Sequence, residues 1–262
     1  GRTTLNGEGL QHQDGHSHVL TSTVPNCVSY DPTYAYELAV ILQDGLRRMY
    51  EEEESVFYYL TLMNENYLHG AMPKGAEEGI RKGMYLLREG KGKGGKKAKR
   101  VQLLGSGTIL REVEAAAELL REDFGVAADV WSVTSFNELR REGLRADRDR
   151  LLKPDRKVAP TWVEQCLDKR QGPVIASTDY IKAYADQIRP WIKAPYRVLG
   201  TDGYGRSDSR AKLRHFFEVD RYFVVLAALS ALKDEGEVDA ATVKEAIQKY
   251  GIDPEKPYPV IS

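Results

Sequence analysis

Short apolar runs rich in β-formers alternate along this chain with longer segments whose apolar residues recur every three or four positions. That alternation predicts a doubly wound α/β sheet, because strands buried on both faces read as continuous apolar stretches and helices as one-sided stripes. Val24-Pro-Asn-Cys-Val-Ser-Tyr30 reads as a short strand. Asp31-Pro32 predicts a helix start, with Asp as N-cap and Pro at the first helical position. Tyr34, Leu38, Ile41, Leu42, Leu46 and Met49 then keep the helical period, and the acidic run Glu51 to Glu54 ends it. Val56-Phe-Tyr-Tyr-Leu-Thr-Leu62 predicts a strand buried on both faces of a parallel sheet. It leads into the polar stretch Asn64-Glu65-Asn66-Tyr67, just past a strand's carboxyl end, where ligands of open α/β sheets collect.

Glu77 to Arg88 reads as a short helix. The Gly/Lys tract Lys91 to Arg100 cannot bury a core. With no aromatic residue to stack a base, it reads as a solvated loop rather than a nucleic-acid patch. A second unit follows. Val101 to Leu104 is a strand, and Gly105-Ser-Gly107-Thr108 turns into a helix carrying Ile109, Leu110, Val113, Ala116, Ala117 and Leu120, which Gly125 ends. Val126 to Val133 is the next strand, and Ser135-Phe-Asn-Glu138 is a capping box. Pro173 to Ser177 is a strand, Asp179 to Ile192 a helix, and Tyr196 to Leu199 a further strand. The Gly-rich loop Gly200 to Asp208 precedes helices near Tyr222–Lys233 and Asp239–Lys249. The second unit is nearly complete, whereas the first has only one strand–helix–strand stretch.

Composition narrows the class without naming a partner. The chain has 262 residues and a formal net charge of -1, so no global field points to nucleic acid or membrane. No run of about 18 apolar residues exists to span a bilayer, and no signal-peptide pattern opens the chain. Cys27 and Cys166 stand in apolar surroundings and read as buried thiols rather than a disulfide. The chain opens at Gly1 directly into a loop, which is the expectation for a piece of a longer polypeptide.

Chemistry concentrates at the start. Three of the five histidines, His12, His16 and His18, lie in Gly7-Glu8-Gly-Leu-Gln-His12-Gln-Asp14-Gly15-His16-Ser-His18, among glycines and acids. Histidine exchanges protons near neutral pH and is the commonest metal ligand. Three readings follow: an acid–base loop, histidines that only hydrogen-bond backbone, or a zinc site using Asp14 as well. Two other Gly-rich turns are weaker. Gly105-Ser-Gly107 resembles a phosphate cradle at a helix start, but it lacks the third glycine of a dinucleotide fingerprint and the Lys of a P-loop, which favours a structural turn. Thr201-Asp202-Gly203 resembles the Gly-Asp-Gly start of a thiamine diphosphate site, yet no Asn occurs after Asn137 to complete that motif. The remaining reading is a strand-end loop with Ser207 or Asp208 capping a helix, and Arg206 and Arg210 open to a partner protein.

The stretch Gly1-Arg-Thr-Thr-Leu-Asn-Gly-Glu-Gly-Leu-Gln-His-Gln-Asp-Gly-His-Ser-His18 closely resembles the homodimeric, bacterial-type pyruvate dehydrogenases, the decarboxylating component of the pyruvate dehydrogenase complex. The resemblance continues through Ser29 to Tyr36, Asn64 to Tyr67, Ala76 to Gly83, Leu103 to Gly107, Val133 to Phe136, Ala176 to Tyr180 and Gly200 to Arg210, and so covers the whole chain. The Lys/Gly tract is the main departure. The resemblance implies an α/β fold: the end of a transketolase-like pyrimidine-binding middle domain over residues 1–76, then a complete three-layer α/β C-terminal domain over 77–262, with 91–100 a flexible loop. It implies that His16 and His18 reach a thiamine diphosphate reaction centre as proton donors, His16 foremost. Glu8, Asp14, Asn64, Glu65 and Asn66 are substrate-cleft candidates. It also implies pyruvate and the lipoyl group as substrates, a homodimer, the dihydrolipoamide acetyltransferase core as partner, a bacterial cytoplasmic location, and no nucleic acid or membrane. The motifs that hold Mg²⁺ and the diphosphate are expected outside this sequence, so the chain alone is expected to bind cofactor weakly and to be inactive. Two rivals remain: a non-catalytic α/β dimerisation or assembly module, and a His-cluster metal-binding domain.

Overall fold

The computed structural model describes residues 1–92 and 98–262. After the histidine loop, a single-turn helix α1 (Ser17–Thr21) leads into strand β1 (Cys27–Tyr30). Helix α2 (Ala35–Leu46) crosses over to β2 (Phe57–Leu60), which lies parallel to β1 with Cys27 opposite Phe57 and Tyr30 opposite Leu60. After α3 (Glu77–Lys82), strands β3 (Met84–Arg88), β4 (Arg100–Gly105), β5 (Ala127–Val133), β6 (Val174–Ser177) and β7 (Tyr196–Leu199) form a second sheet in the order β3-β5-β4-β6-β7. Only the edge strand β3 runs antiparallel to its neighbour.

Helices cover both faces of the second sheet, giving three layers. On one face Leu103, Val130 and Ile175 pack against Val113 and Leu120 of α4 (Leu110–Phe124) and Val224 and Leu229 of α9 (Arg221–Asp234). On the other, Leu104, Trp131 and Ala176 pack against Phe136 and Leu139 of α5 (Phe136–Leu152), Val163 of α6 (Trp162–Leu167) and Tyr184 of α7 (Lys182–Asp186). Two further helices, α8 (Arg210–Phe216) and α10 (Ala240–Lys249), complete the chain. The α/β expectation holds, and both sheets are mainly parallel as predicted.

Several local expectations need correction. The segment 77–88 is not one helix. Gly83 adopts φ 109°, and a Cβ there would come within 2.5 Å of the Ser135 carbonyl oxygen, so the chain stops helically at Lys82 and continues as β3. β2 is not buried on both faces: Phe57 is exposed and Tyr58, Tyr59 and Leu60 are only partly buried. The predicted helix 179–192 shrinks to α7 and a 3-10 turn at Arg189–Trp191, since Pro190 cannot continue an α-helix. Asp31 does not cap α2. That helix starts at Ala35, and Glu37 reaches back to the backbone N–H of Tyr34 at 3.0 Å. Arg100 belongs to β4, not to the Gly/Lys loop, whose residues 93–97 lie outside the described residues. Cys27 and Cys166 are free thiols as expected, but only Cys27 is buried; Cys166 is partly exposed.

The carboxyl ends of the two sheets meet. The Asp31 N–H donates to the Thr134 carbonyl at 2.8 Å, and the Ser135 hydroxyl donates to the Ser29 carbonyl at 2.6 Å. Asn137 donates to the His18 carbonyl at 2.7 Å and to the Ser29 hydroxyl at 2.5 Å, tying α5 to α1 and β1. This junction places the histidine loop against the strand ends where α/β sheets build their sites. A cleft of about 790 Å³ lined by Arg100, Arg170, Lys193 and Leu232 lies at the opposite, amino-terminal ends of β4, β6 and β7, away from that chemistry.

Candidate active-site loop

The loop holds its shape through Asp14. One carboxylate oxygen accepts the backbone N–H groups of His16 at 2.9 Å and Ser17 at 3.0 Å, and the other accepts the Ser17 hydroxyl. Burial pushes Asp14 up, but these donors outweigh it and hold the carboxyl below its ordinary value. Asp14 is therefore an ionised cap on the α1 amino end.

The three histidines do not converge. His12 ends a 3-10 turn at Leu10–His12 and is exposed. His16 is exposed, with Nδ1 at 3.3 Å from the Arg2 guanidinium. His18 is fully buried, stacked on Tyr184 at 4.7 Å and edge-on to Tyr180 at 4.6 Å. Burial depresses His18 to about 3, so it is a neutral imidazole at physiological pH. Its Nε2 meets the Thr61 hydroxyl at 2.9 Å, and that hydroxyl donates to Asp31 at 2.7 Å. The thread His18–Thr61–Asp31 thus crosses behind the loop. Among the described residues, no group of three or more His, Cys, Asp or Glu side chains could hold a metal ion.

Asp31 also decides the Gly105-Ser-Gly107 question. All three residues are buried, Gly107 adopts φ 50°, and a Cβ on it would lie 2.5 Å from Asp31 Oδ2. The Asp31 carboxylate lies against this turn, and the Gly107 N–H donates to the Asp31 backbone carbonyl at 3.1 Å, so the turn's glycine serves close packing. Burial pushes Asp31 up to about 6, and Oδ2 has no hydrogen-bond partner.

The cleft candidates divide. Glu8, Asn64 and Asn66 are exposed. Glu65 is half-buried and engaged: it accepts Arg111 at 2.9 Å and Thr108 at 3.0 Å, and pairs with Arg214. Burial raises it, but Arg214 and Arg111 prevail and hold it below the ordinary carboxylate range. Glu65 is therefore no proton reservoir near neutral pH.

Sequence reasoning missed the residues that fasten the loop. Asp179 accepts the Thr3 N–H at 2.9 Å and the Thr4 hydroxyl at 2.8 Å. The Arg210 guanidinium donates to the Thr4 carbonyl at 2.7 Å, and its backbone N–H donates to Asn6 Oδ1 at 3.2 Å. The Arg206 N–H donates to the Gln13 side chain at 2.6 Å. Arg206 and Arg210, expected to await a partner protein, are used inside the chain. The N-cap position of the helix after this loop is Ser209, not Ser207 or Asp208, and its side chain makes no capping hydrogen bond.

Comparison with known proteins matches this arrangement segment by segment. Residues 1–70 match the family model for the pyruvate dehydrogenase E1 component middle domain, and residues 83–220 match that for the transketolase-like C-terminal domain. The chain belongs to the transketolase-like family. It is 67% identical over 261 residues to the pyruvate dehydrogenase E1 component of Pseudomonas aeruginosa and 56% identical over 261 residues to that of Escherichia coli K12. In both cases 99% of this chain is covered, and the chain spans about 29% of the relative's length. A transketolase crystal structure from Pichia stipitis superposes over 90% of this chain and 30% of its own, with TM-score 0.63 and 16% identity. A split-gene transketolase, described as an inactive beta4 tetramer, covers 86% of this chain and 63% of its own with TM-score 0.57 and 18% identity. The transketolase-like fold is thereby established for the chain.

Proposed function

We propose that this chain carries one wall of the active site of a pyruvate dehydrogenase. That enzyme decarboxylates pyruvate and passes the acetyl unit to the lipoyl group of a dihydrolipoamide acetyltransferase. What supports the reading is the exposed His16, presented by an Asp14-capped turn in a chain so similar to pyruvate dehydrogenase E1 components. The domain division is residues 1–76 and 77–262. The full-length enzyme works as a homodimer in the bacterial cytoplasm, with thiamine diphosphate and Mg²⁺ as cofactors.

The described residues do not fit the diphosphate–metal end of that cofactor. They offer no metal-ligand cluster, and the Asp31 carboxylate lies against the Gly105–Gly107 turn. The part that falls to this chain is proton handling. His16 Nε2 offers a hydrogen-bond donor to oxygen charge developing on the pyruvate ketone, and then to the sulfur leaving when the lipoyl disulfide opens. His18, buried and neutral, serves as support behind His16 rather than as a second donor. Asp14 holds the turn; Glu8, Asn64 and Asn66 line the open side; Glu65 braces it through arginines.

The test is lipoyl acetylation by the full-length enzyme with His16→Ala and His18→Gln. His16→Ala is expected to lower kcat by roughly 10²-fold or more, the scale of general acid–base catalysis. His18→Gln is expected to act chiefly on stability. Unchanged turnover in His16→Ala would favour the non-catalytic assembly reading.

A further inference from the structure

The Gly200–Arg210 loop touches the histidine loop repeatedly. Gly205 has room for no side chain beside Gln13, where a Cβ would lie 2.9 Å from the Gln13 Cβ. The Gly7 N–H donates to the Asp208 carbonyl at 3.1 Å, and the Arg206 N–H donates to the Gln13 side chain at 2.6 Å. At the centre lies Arg2, 3% exposed. One Nη donates to the carbonyls of Thr201, at 2.9 Å, and Gly203. The other lies 3.3 Å from His16 Nδ1.

We propose that Arg2 is a positioning residue for His16: pinned to the Thr201 and Gly203 carbonyls, it donates to Nδ1 and fixes the imidazole as the Nε2–H tautomer. The chemistry is one-sided. A guanidinium has five N–H donors and no acceptor, so a ring nitrogen that meets it must offer a lone pair. With Nδ1 committed as acceptor, the proton of the neutral ring resides on Nε2. The backbone of His16 is held at the same time by Asp14, so ring and main chain are fixed from two sides.

Two features show how closely the site is built around this guanidinium. A Cβ on Gly15 would lie 2.3 Å from Arg2 Nε and 2.8 Å from its Cζ. Nε itself is buried without a partner, a cost that packing alone does not explain. Burial disfavours the charged guanidinium and lowers Arg2 from its ordinary value, and the carboxylates Asp14, Asp202 and Asp179 offset this only in part. Through Arg2, a loop after β7 sets the proton position of a histidine near the other end of the chain.

The catalytic consequence rests on the reading of His16 given above, but the tautomer does not, and it can be read directly. The test is ¹⁵N NMR of the chain with labelled histidine above neutral pH, His16 being assigned by the loss of its signals in His16→Gln. The expected spectrum shows Nδ1 unprotonated and Nε2 protonated, as one species. In Arg2→Met the two ring-nitrogen shifts should move toward each other as both tautomers become populated, and Arg2→Lys should restore the separation. Gly15→Ala keeps every charge while displacing the guanidinium, and should reproduce Arg2→Met. A proton on Nδ1 in the unaltered chain would overturn the proposal, whether or not any variant folds. So would shifts that stay put in both Arg2→Met and Gly15→Ala. Loss of turnover in His16→Ala with the tautomer unfixed would retain the function and remove Arg2 from it.

Discussion

His18 and Asp31 sit on one hydrogen-bonded thread and pull stability in opposite directions with pH. Burial holds His18 at about 3 against an ordinary 6.5. Between those values the unfolded chain binds more protons than the folded one, so the His18 contribution is lost as pH falls from 6.5 toward 3. Burial raises Asp31 to about 6 against an ordinary 3.8. There the folded state binds more protons, so the Asp31 contribution is full below 3.8 and is lost as pH rises through 6. The two slopes oppose each other and partly cancel in the unaltered chain. Urea denaturation of His18→Gln and Asp31→Asn across this range separates them. Relative to the unaltered chain, His18→Gln should resist acid better. Asp31→Asn should gain about 3 kcal/mol between pH ~4 and pH ~7, from about 1.4 kcal/mol per pH unit. An Asp31→Asn difference that is flat across the range would mean that its carboxyl titrates normally.

At the scale of elements, Arg214 of α8 joins three segments distant in sequence. It pairs with Glu65 beyond β2, lies 3.6 Å from Glu112 of α4, and donates to Thr108 at 3.1 Å. It is nearly buried, so both acids depend on it more than on partners at the rim. Arg214→Met should cost about 3 kcal/mol, the lower end for breaking a buried pair, because Arg111 and Arg221 still serve the acids. Arg111→Met, at the more exposed partner, should cost less than about 1 kcal/mol. Equal losses in the two denaturation midpoints would refute this ranking. The same contacts show what was legible in the sequence. The second sheet was readable because its strands are local apolar runs and its helices carry local caps, as at Ser135. The 77–88 and 179–192 segments were misread because one glycine conformation and one proline outweigh helical period. Arg2, Asp179, Arg210 and Arg214 carried no local signal: each has a hydrogen-bond partner between 106 and 211 positions away, which only the folded chain brings near.

Among the described residues, the two Gly-rich turns that resemble phosphate-binding motifs are both engaged with the chain's own acids. The Asp31 carboxylate lies against Gly107, before the start of α4. The Asp202 carboxylate, in the turn that resembles a thiamine diphosphate motif, accepts the Lys182 N–H at 3.1 Å and so caps α7. The histidines diverge, with His16 outward and His18 inward. What the fold does present is the exposed His16 imidazole at the junction of two mainly parallel sheets. A wall of this kind can handle a proton but has little to grip a charged cofactor, whose affinity depends on fixed donors and a cation. Titration calorimetry of thiamine diphosphate with Mg²⁺ into the chain should therefore give no saturable heat in the micromolar range, and pyruvate should not be consumed. Micromolar binding that survives His16→Ala would show that these residues hold the cofactor themselves. The diphosphate would then have to displace Asp31 from Gly107, or Lys182 from Asp202, and Asp31→Asn and Asp202→Asn would tell which.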